Sequence, residues 1–406
     1  MPHTARMRGS RKLSNAMKFV LLIGVLSFFA DFVYEGARSI TGPFLGVLGA
    51  TGVIVSIVAG LGEFLGYGLR LVSGPWAERS GRFWPITIAG YVIQMTAVPL
   101  LALATNWQIA ALLIVLERVG KAVRNPPRDV MLSYAARDIG YGWGFGVHEA
   151  LDQFGALCGP LAMAAVLAFR HEFNQAFAVL VIPAVITLAL LAIARLTYPN
   201  PHDAGSPHNQ LPARDGFPTV FWLYLVGAML VAAGFADFPL ISFHLQSGAL
   251  HDRQAWLPVF YAVAMAVSGL GSLGFGKLFD RFGLIVLVPL TLVAAAFAPL
   301  VFMGGFGLAL FGSALWGLGM GVHESLIPAA VAHMVPQQRR GSAYGIFTGS
   351  YGIAWFAGSI VIGVLYGHHG ASLGPLIAFC VVSQLIAIPI FIAVSRRVRT
   401  GESGHA

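Results

Sequence analysis

Stretches of about 20 apolar residues recur along the whole chain, each long enough to cross roughly 30 Å of hydrocarbon as a helix. Inside a bilayer, backbone amides and carbonyls find no water, so a chain of this kind is confined to transmembrane helices or a closed barrel. Runs this long exclude strands. Twelve can be marked, at 17–41, 51–73, 84–105, 107–125, 142–168, 175–195, 218–243, 255–276, 284–304, 306–330, 343–366 and 373–395. With 57% hydrophobic and 10% charged residues among 406, the composition is that of a polytopic membrane protein rather than a soluble enzyme. The first run is too long for a cleaved signal peptide and no small-residue cleavage site follows it, so it is expected to remain as a helix. Cys158 and Cys380 fall inside runs and read as buried thiols, not as a disulfide or metal site.

Lys and Arg positions set the orientation. With a cytoplasmic N-terminus, nineteen of the 25 basic residues collect on that side, against Arg170 and Arg253 on the other. Both termini are then cytoplasmic, as an even number of spans requires, and the expected location is the inner membrane. This topology and an anionic inner leaflet account for the net charge of +8, so nucleic acid is not an expected partner. A polar, proline-bearing segment from Asn200 to Gly216 separates six spans from six. The expected division is a tail at 1–16, a six-helix bundle at 17–197, a linker at 198–216, a second bundle at 217–396 and a tail at 397–406.

The two halves echo one another. Gly74, Glu78, Arg79, Gly81 and Arg82 follow span two, and Gly276, Asp280, Arg281 and Gly283 follow span eight, 202 residues on. Ala30-Asp31-Phe32 in span one matches Ala236-Asp237-Phe238 in span seven at an offset of 206, and span five matches span eleven at 199. The loop Gly-x-x-x-acid-Arg-x-Gly-Arg, its second copy and the six-plus-six layout resemble the major facilitator superfamily of secondary transporters across the whole chain. Two departures stand out: Glu78 occupies a place where the family more often has Asp, and Leu284 replaces the last Arg of the second copy. The resemblance implies an all-α fold of twelve transmembrane helices in two pseudo-symmetric bundles, with alternating access. It also implies that Gly74, Glu78, Arg79, Gly81, Arg82, Gly276, Asp280 and Arg281 form a cytoplasmic latch, made in one access state and broken in the other. An ordinary positive-inside turn would contain the same residues.

In that fold spans one, four, seven and ten line a central cavity, while three, six, nine and twelve face lipid. The charges fall accordingly. Glu117, Lys121, Arg124 and Arg128 share one face of span four, and Asp31, Glu35 and Arg38 one face of span one. Asp237 lies in span seven, and His323 and Glu324 in span ten, whereas the interiors of three, six, nine and twelve carry no charge. Ionisable groups at bilayer depth mark a functional site by default. Arg38, Lys121, Arg124, His323 and Glu324 are the candidates for substrate contact. Asp31, Glu35, Glu149, Asp152 and Asp237 are the candidates for proton coupling, with structural pairing as the alternative. Glu149 or Asp152 is the expected partner of Lys121 or Arg124. The cations of span four suit an anionic substrate, unless internal acids neutralise them.

Gly155, Gly159 and Pro160 resemble the opening of an antiporter motif whose closing glycines are Met163 and Ala164 here; the same residues would serve as a packing kink. Gly269 to Gly274 spells a dinucleotide-binding pattern inside a membrane span, which reads as packing. His368 and His369 read as solvated loop residues rather than a metal site. The expectation is a monomeric secondary transporter of a small organic solute, with protons and the lipid bilayer as further partners, no metal and no cofactor, and efflux by antiport favoured. An uptake symporter or uniporter and a non-transporting receptor are the alternatives.

Overall fold

The computed structural model describes residues 15–199, 216–335, 339–367 and 372–399, and its secondary structure is helical throughout. The tail to residue 14, most of the linker, the tail from residue 400 and the pair His368 and His369 lie outside the described residues. Among the described residues, ten stretches are long and apolar enough to cross a membrane. One of these, Trp256–Met303, contains two helices turned back on each other at Gly283, whose φ of 69° suits a residue without a Cβ. Span four, Trp107–Ile139, is a continuous helix too rich in charge to count among the ten. The helices therefore follow the order read from the sequence.

Spans one to six are Asn15–Val47, Gly52–Ser80, Phe83–Leu100, Trp107–Ile139, Tyr141–Arg170, and Phe173–Val179 continued by Val181–Thr197. Spans seven to nine are Thr219–Ala233 with Phe238–Ser247, Trp256–Phe282, and Leu287–Ala295 with Phe297–Met303. Span ten is Phe306–Gly321, a π-helical turn at Val322–Leu326 and Ile327–Met334; eleven is Arg340–Gly367 and twelve is Gly374–Arg399. Local chemistry sets the ends. Thr51 and Asn106 cap spans two and four by accepting from the amides of Ile54 and Ile109, and Gly81 closes span two in the left-handed region.

Two interruptions are not evident from apolar periodicity. Span seven unwinds between Ala233 and Phe238, where Gly234 and Pro239 weaken the helix, and the indole of Trp316 satisfies the freed carbonyl of Ala236 at 2.8 Å. Span ten widens just before Pro328, and the Tyr224 hydroxyl donates to the carbonyl of Ile327 at 2.7 Å. Wide turns of this kind gather at functional sites.

Two apolar cores form, one from Phe19 to Ala194 and one from Val220 to Val394. The halves meet tightly at the end of the bundle away from the chain termini. There a methyl group on Gly42 would stand 2.6 Å from the carbonyl carbon of Pro239, and one on Gly46 would stand 2.7 Å from the Phe243 ring. Ser56 donates across the seam to the carbonyl of Ser359 at 2.6 Å. Toward the termini the halves part: Gly66, Gly68, Gly274 and Gly276 have nothing within 4 Å of a would-be Cβ.

Gly155 and Gly159 do not face the other half. They seat span five on span one, where a methyl on Gly159 would lie 2.9 Å from the Gly36 nitrogen and one on Gly155 would lie 3.0 Å from the carbonyl carbon of Phe28. Cys380 is buried, but Cys158 is partly exposed, because span five presents that side toward the membrane. Gly269 to Gly274 lies wholly within span eight, with no strand before it. Because backbone cannot yield as a side chain can, Gly155→Val or Gly159→Val should cost about 1–3 kcal/mol by overpacking. The thermal midpoint of the purified protein should fall by several degrees in both, while Gly66→Ala leaves it unchanged.

Candidate functional site

Span one places Asp31, Tyr34, Glu35 and Arg38 on a single face by their spacing of three, one and three. That face borders a cavity of about 400 Å³ between the halves, which spans two, four and five enclose with Glu63, Tyr67, Arg70, Arg118, Lys121, Asn125, Arg128, Glu149, Asp152 and Gln153. From the other half come Met265, Met320, His323, Glu324 and Thr348. The first half thus supplies almost all the charge.

These charges are wired to one another. Lys121 lies 3.7 Å from Asp31 and 3.9 Å from Glu35, with its ammonium 3.4 Å from the centre of the Tyr34 ring. Arg38 and Arg118 converge on Glu63 at 2.7 and 3.0 Å, and Arg118 also donates to the Tyr34 hydroxyl. Behind this layer Arg124 donates to Gln94 at 2.5 Å, to Tyr91 at 2.8 Å and to Asp31 at 3.2 Å. Gln94 in turn donates to Glu117 at 3.0 Å. An unpaired buried charge costs several kcal/mol, and a fully bonded network offsets that penalty. One strand of the network crosses between the halves, where the Tyr261 hydroxyl of span eight donates to Glu35.

The structure divides the sequence candidates. Arg38, Lys121, His323 and Glu324 border the cavity, as do Asp31, Glu35, Glu149 and Asp152. Arg124 does not: its side chain is 0% exposed and points toward span three, whose Tyr91 and Gln94 hold it. The partners of Lys121 and Arg124 are on span one rather than span five, because span one lies alongside span four and supplies two carboxylates a turn apart. Glu149 instead accepts from Gln153 at 2.9 Å. Asp152 forms no ion pair among the described residues, and its Oδ1 is buried without a hydrogen-bond partner. Asp237 stands apart from the cavity at the break in span seven, accepting from Trp355 at 3.1 Å and Ser359 at 2.9 Å. His323 is bonded to the Tyr351 hydroxyl and packed on Phe235, Trp355 and Tyr351.

Several contributors escaped the list of candidates, Arg118 and Tyr261 among them. Tyr34 and Glu63 lie at the centre of the charge network, while Tyr91 and Gln94 build a polar pocket in a span that otherwise faces away from the cavity. Tyr34 was legible from its place between Asp31 and Glu35, and Glu63 from lying seven residues before Arg70. For Tyr91 and Gln94 no pattern signals a role, since a lone tyrosine and glutamine in an apolar run have many uses. At the termini end, Glu78, Arg79, Arg82, Asp280 and Arg281 are exposed and form no ion pair with a described residue. The halves are parted there, beyond the reach of such pairs.

The sequence model for the Major Facilitator Superfamily matches residues 21–359 and 259–404. An uncharacterised protein of Mycobacterium tuberculosis is 41% identical over 399 residues, 96% of each chain. The multidrug resistance protein MdtH of Proteus mirabilis is 30% identical over 148 residues, 36% of each chain. Among solved structures, a bacterial homologue of the human lysosomal transporter Spinster, inward-facing and unoccupied, superposes with a TM-score of 0.72 at 15% identity. That likeness covers 97% of this chain and 100% of the other, and is one of fold. Matched along nearly its whole length, with the helices and the central cavity of such carriers, the chain belongs to the Major Facilitator Superfamily and is a multi-pass membrane transporter.

Proposed function

We propose that this transporter exports a small organic solute from the cytoplasm in exchange for protons, working as a monomer in the inner membrane. Its halves, 17–197 and 217–396, rock as two bodies joined by the 198–216 linker, with both termini cytoplasmic. In that orientation the structure is the cytoplasm-open state, closed on the far side by Gly42 against Pro239 and Gly46 against Phe243. The observation that carries the reading is Lys121 held between Asp31 and Glu35, with Glu35 also receiving Tyr261 from the opposite half. A proton arriving on Glu35 removes the charge that both Lys121 and Tyr261 face. Proton binding, cavity charge and the contact between halves then change together, which is what coupling requires. Asp31 is also paired with Arg124, which holds it from behind. Glu78, Arg79, Asp280 and Arg281 are the latch that forms when the cytoplasmic end closes.

Efflux is favoured over uptake by the partial match to MdtH and by the opening of an antiporter motif at Gly155 to Pro160. In everted vesicles holding a respiratory pH gradient, addition of a transported solute should dissipate the gradient. Asp31→Asn and Glu35→Gln should slow that exchange about tenfold or more, a change equivalent to ~1.4 kcal/mol in the barrier. Flux that ignores the pH gradient would instead identify a uniporter, and the absence of counterflow for any solute a receptor.

The roles of the two cations should also separate. Lys121 is 17% exposed in its side chain and borders the cavity. Lys121→Ala should therefore abolish exchange with little change in melting temperature. Arg124→Ala strands Gln94 and Tyr91 in a dry site and removes one of the two cations of Asp31, so it should cost ~3–5 kcal/mol of stability, visible as a large drop in melting temperature.

A further inference from the structure

A second hollow of about 410 Å³ lies between spans five and eight and shares Glu149, Gln153 and Met265 with the central cavity. Its remaining wall is almost wholly apolar, with Phe154, Leu157, Ala266 and Leu270 prominent. Phe154 is 56% and Leu270 74% exposed, so the hollow opens sideways onto the lipid-facing surface. The equivalent seam between spans two and eleven is shut: Phe64 stacks on Phe356 with centroids 5.9 Å apart, and Gly352 packs on Tyr67. Pseudo-symmetry alone would make the two seams alike. One of them has become a groove running from the membrane into a charged chamber.

The sign of the charge at the groove's inner end follows from the ion pairs. Arg38, Arg118, Lys121, Arg124 and Arg128 each have a carboxylate partner. Glu149, Asp152 and Glu324 have none among the described residues, and Arg70 is the one cavity cation in the same position, lying over the Tyr67 ring. Uncommitted carboxyl groups therefore outnumber uncommitted cations, and Glu149 stands where groove and chamber meet. Asp152 adds a buried carboxylate oxygen that lacks a hydrogen-bond partner.

From the groove and its carboxylates together, we infer that the solute carried is an amphiphilic cation, whose positive head enters the chamber beside Glu149, Asp152 and Glu324 while its apolar portion stays in the groove between spans five and eight. This rests on the transport reading above and names its substrate class. Such a molecule dissolves in the inner leaflet with its head at the interface, because carrying the charge through hydrocarbon is costly. A sideways groove lets the head pass from interface to wet chamber without the apolar part entering water. Hollows of this size accept drug-sized ligands.

The test uses the full-length protein in phosphatidylcholine nanodiscs, with empty discs as reference and calorimetric titration of decyltrimethylammonium, tetramethylammonium and decanoate. Decyltrimethylammonium should bind about tenfold tighter, or more, than either of the other two. Glu149→Gln should weaken it about fivefold or more, at ordinary magnitudes for a charge-assisted contact. Gly146→Phe fills the groove where a Cβ meets nothing within 4 Å, and should bring decyltrimethylammonium down to the level of tetramethylammonium. Equal affinity for the two ammonium ions, tighter binding of decanoate, or indifference to both substitutions would overturn the inference and leave proton-coupled exchange standing. The expected binding pattern without any collapse of the pH gradient on adding decyltrimethylammonium to everted vesicles would uphold the groove as a binding site and remove the exchange reading.

Discussion

The pairing of Arg124 with Asp31, and of Arg38 and Arg118 with Glu63, is what makes the rest of this structure tenable. Ionised groups at bilayer depth are tolerated only where partners, hydrogen bonds or water replace the hydration they lose. Here Arg118, Lys121, Arg124 and Arg128 of span four each reach an acid within 4 Å, and the Tyr34 ring lies under the cluster as a polarisable floor. Such pairing lets several charges stand together at bilayer depth. That property suits a carrier better than a scaffold.

The two halves share a layout and differ in chemistry. Around the cavity the first half is charged, whereas the second surrounds His323 with Phe235, Tyr351 and Trp355. Its one deeply buried carboxylate, Asp237, sits on a broken helix under Trp355 and Ser359. Ser359 is also the residue whose carbonyl receives Ser56 from the other half, so the break in span seven and the closed end of the molecule touch through a single residue. Rigid aromatic packing on one side and an ionic network on the other provide a firm body and a responsive one.

Much of the site was legible before any coordinates. The spacing of Asp31, Glu35 and Arg38 on one helix, and of Lys121 and Arg128 on another, put them on common faces, and those faces border the cavity. What the spacing does not contain is the neighbour. Arg124 belongs to the same helical face as Lys121, yet the offset of about 60° between residues three apart on a helix is enough to point it at Gln94 and Tyr91, away from the chamber. The same limit explains why span one, and not span five, supplies the partners of span four. Helical periodicity says which residues travel together and is silent on which helix they will meet.

From the amino-acid order alone came the number and succession of the spans, the repeat of the two halves and the gathering of charge in spans one and four, because bilayer thickness and the cost of a buried charge act on each segment separately. Tertiary structure alone decided the rest. It selected the ion pairs, unwound span seven, sealed one seam with Phe64 and Phe356 and left its pseudo-symmetric counterpart open as an apolar groove. Those outcomes depend on contacts of a few ångströms between side chains tens to hundreds of residues apart, where a small rotation of one helix changes which groups can touch.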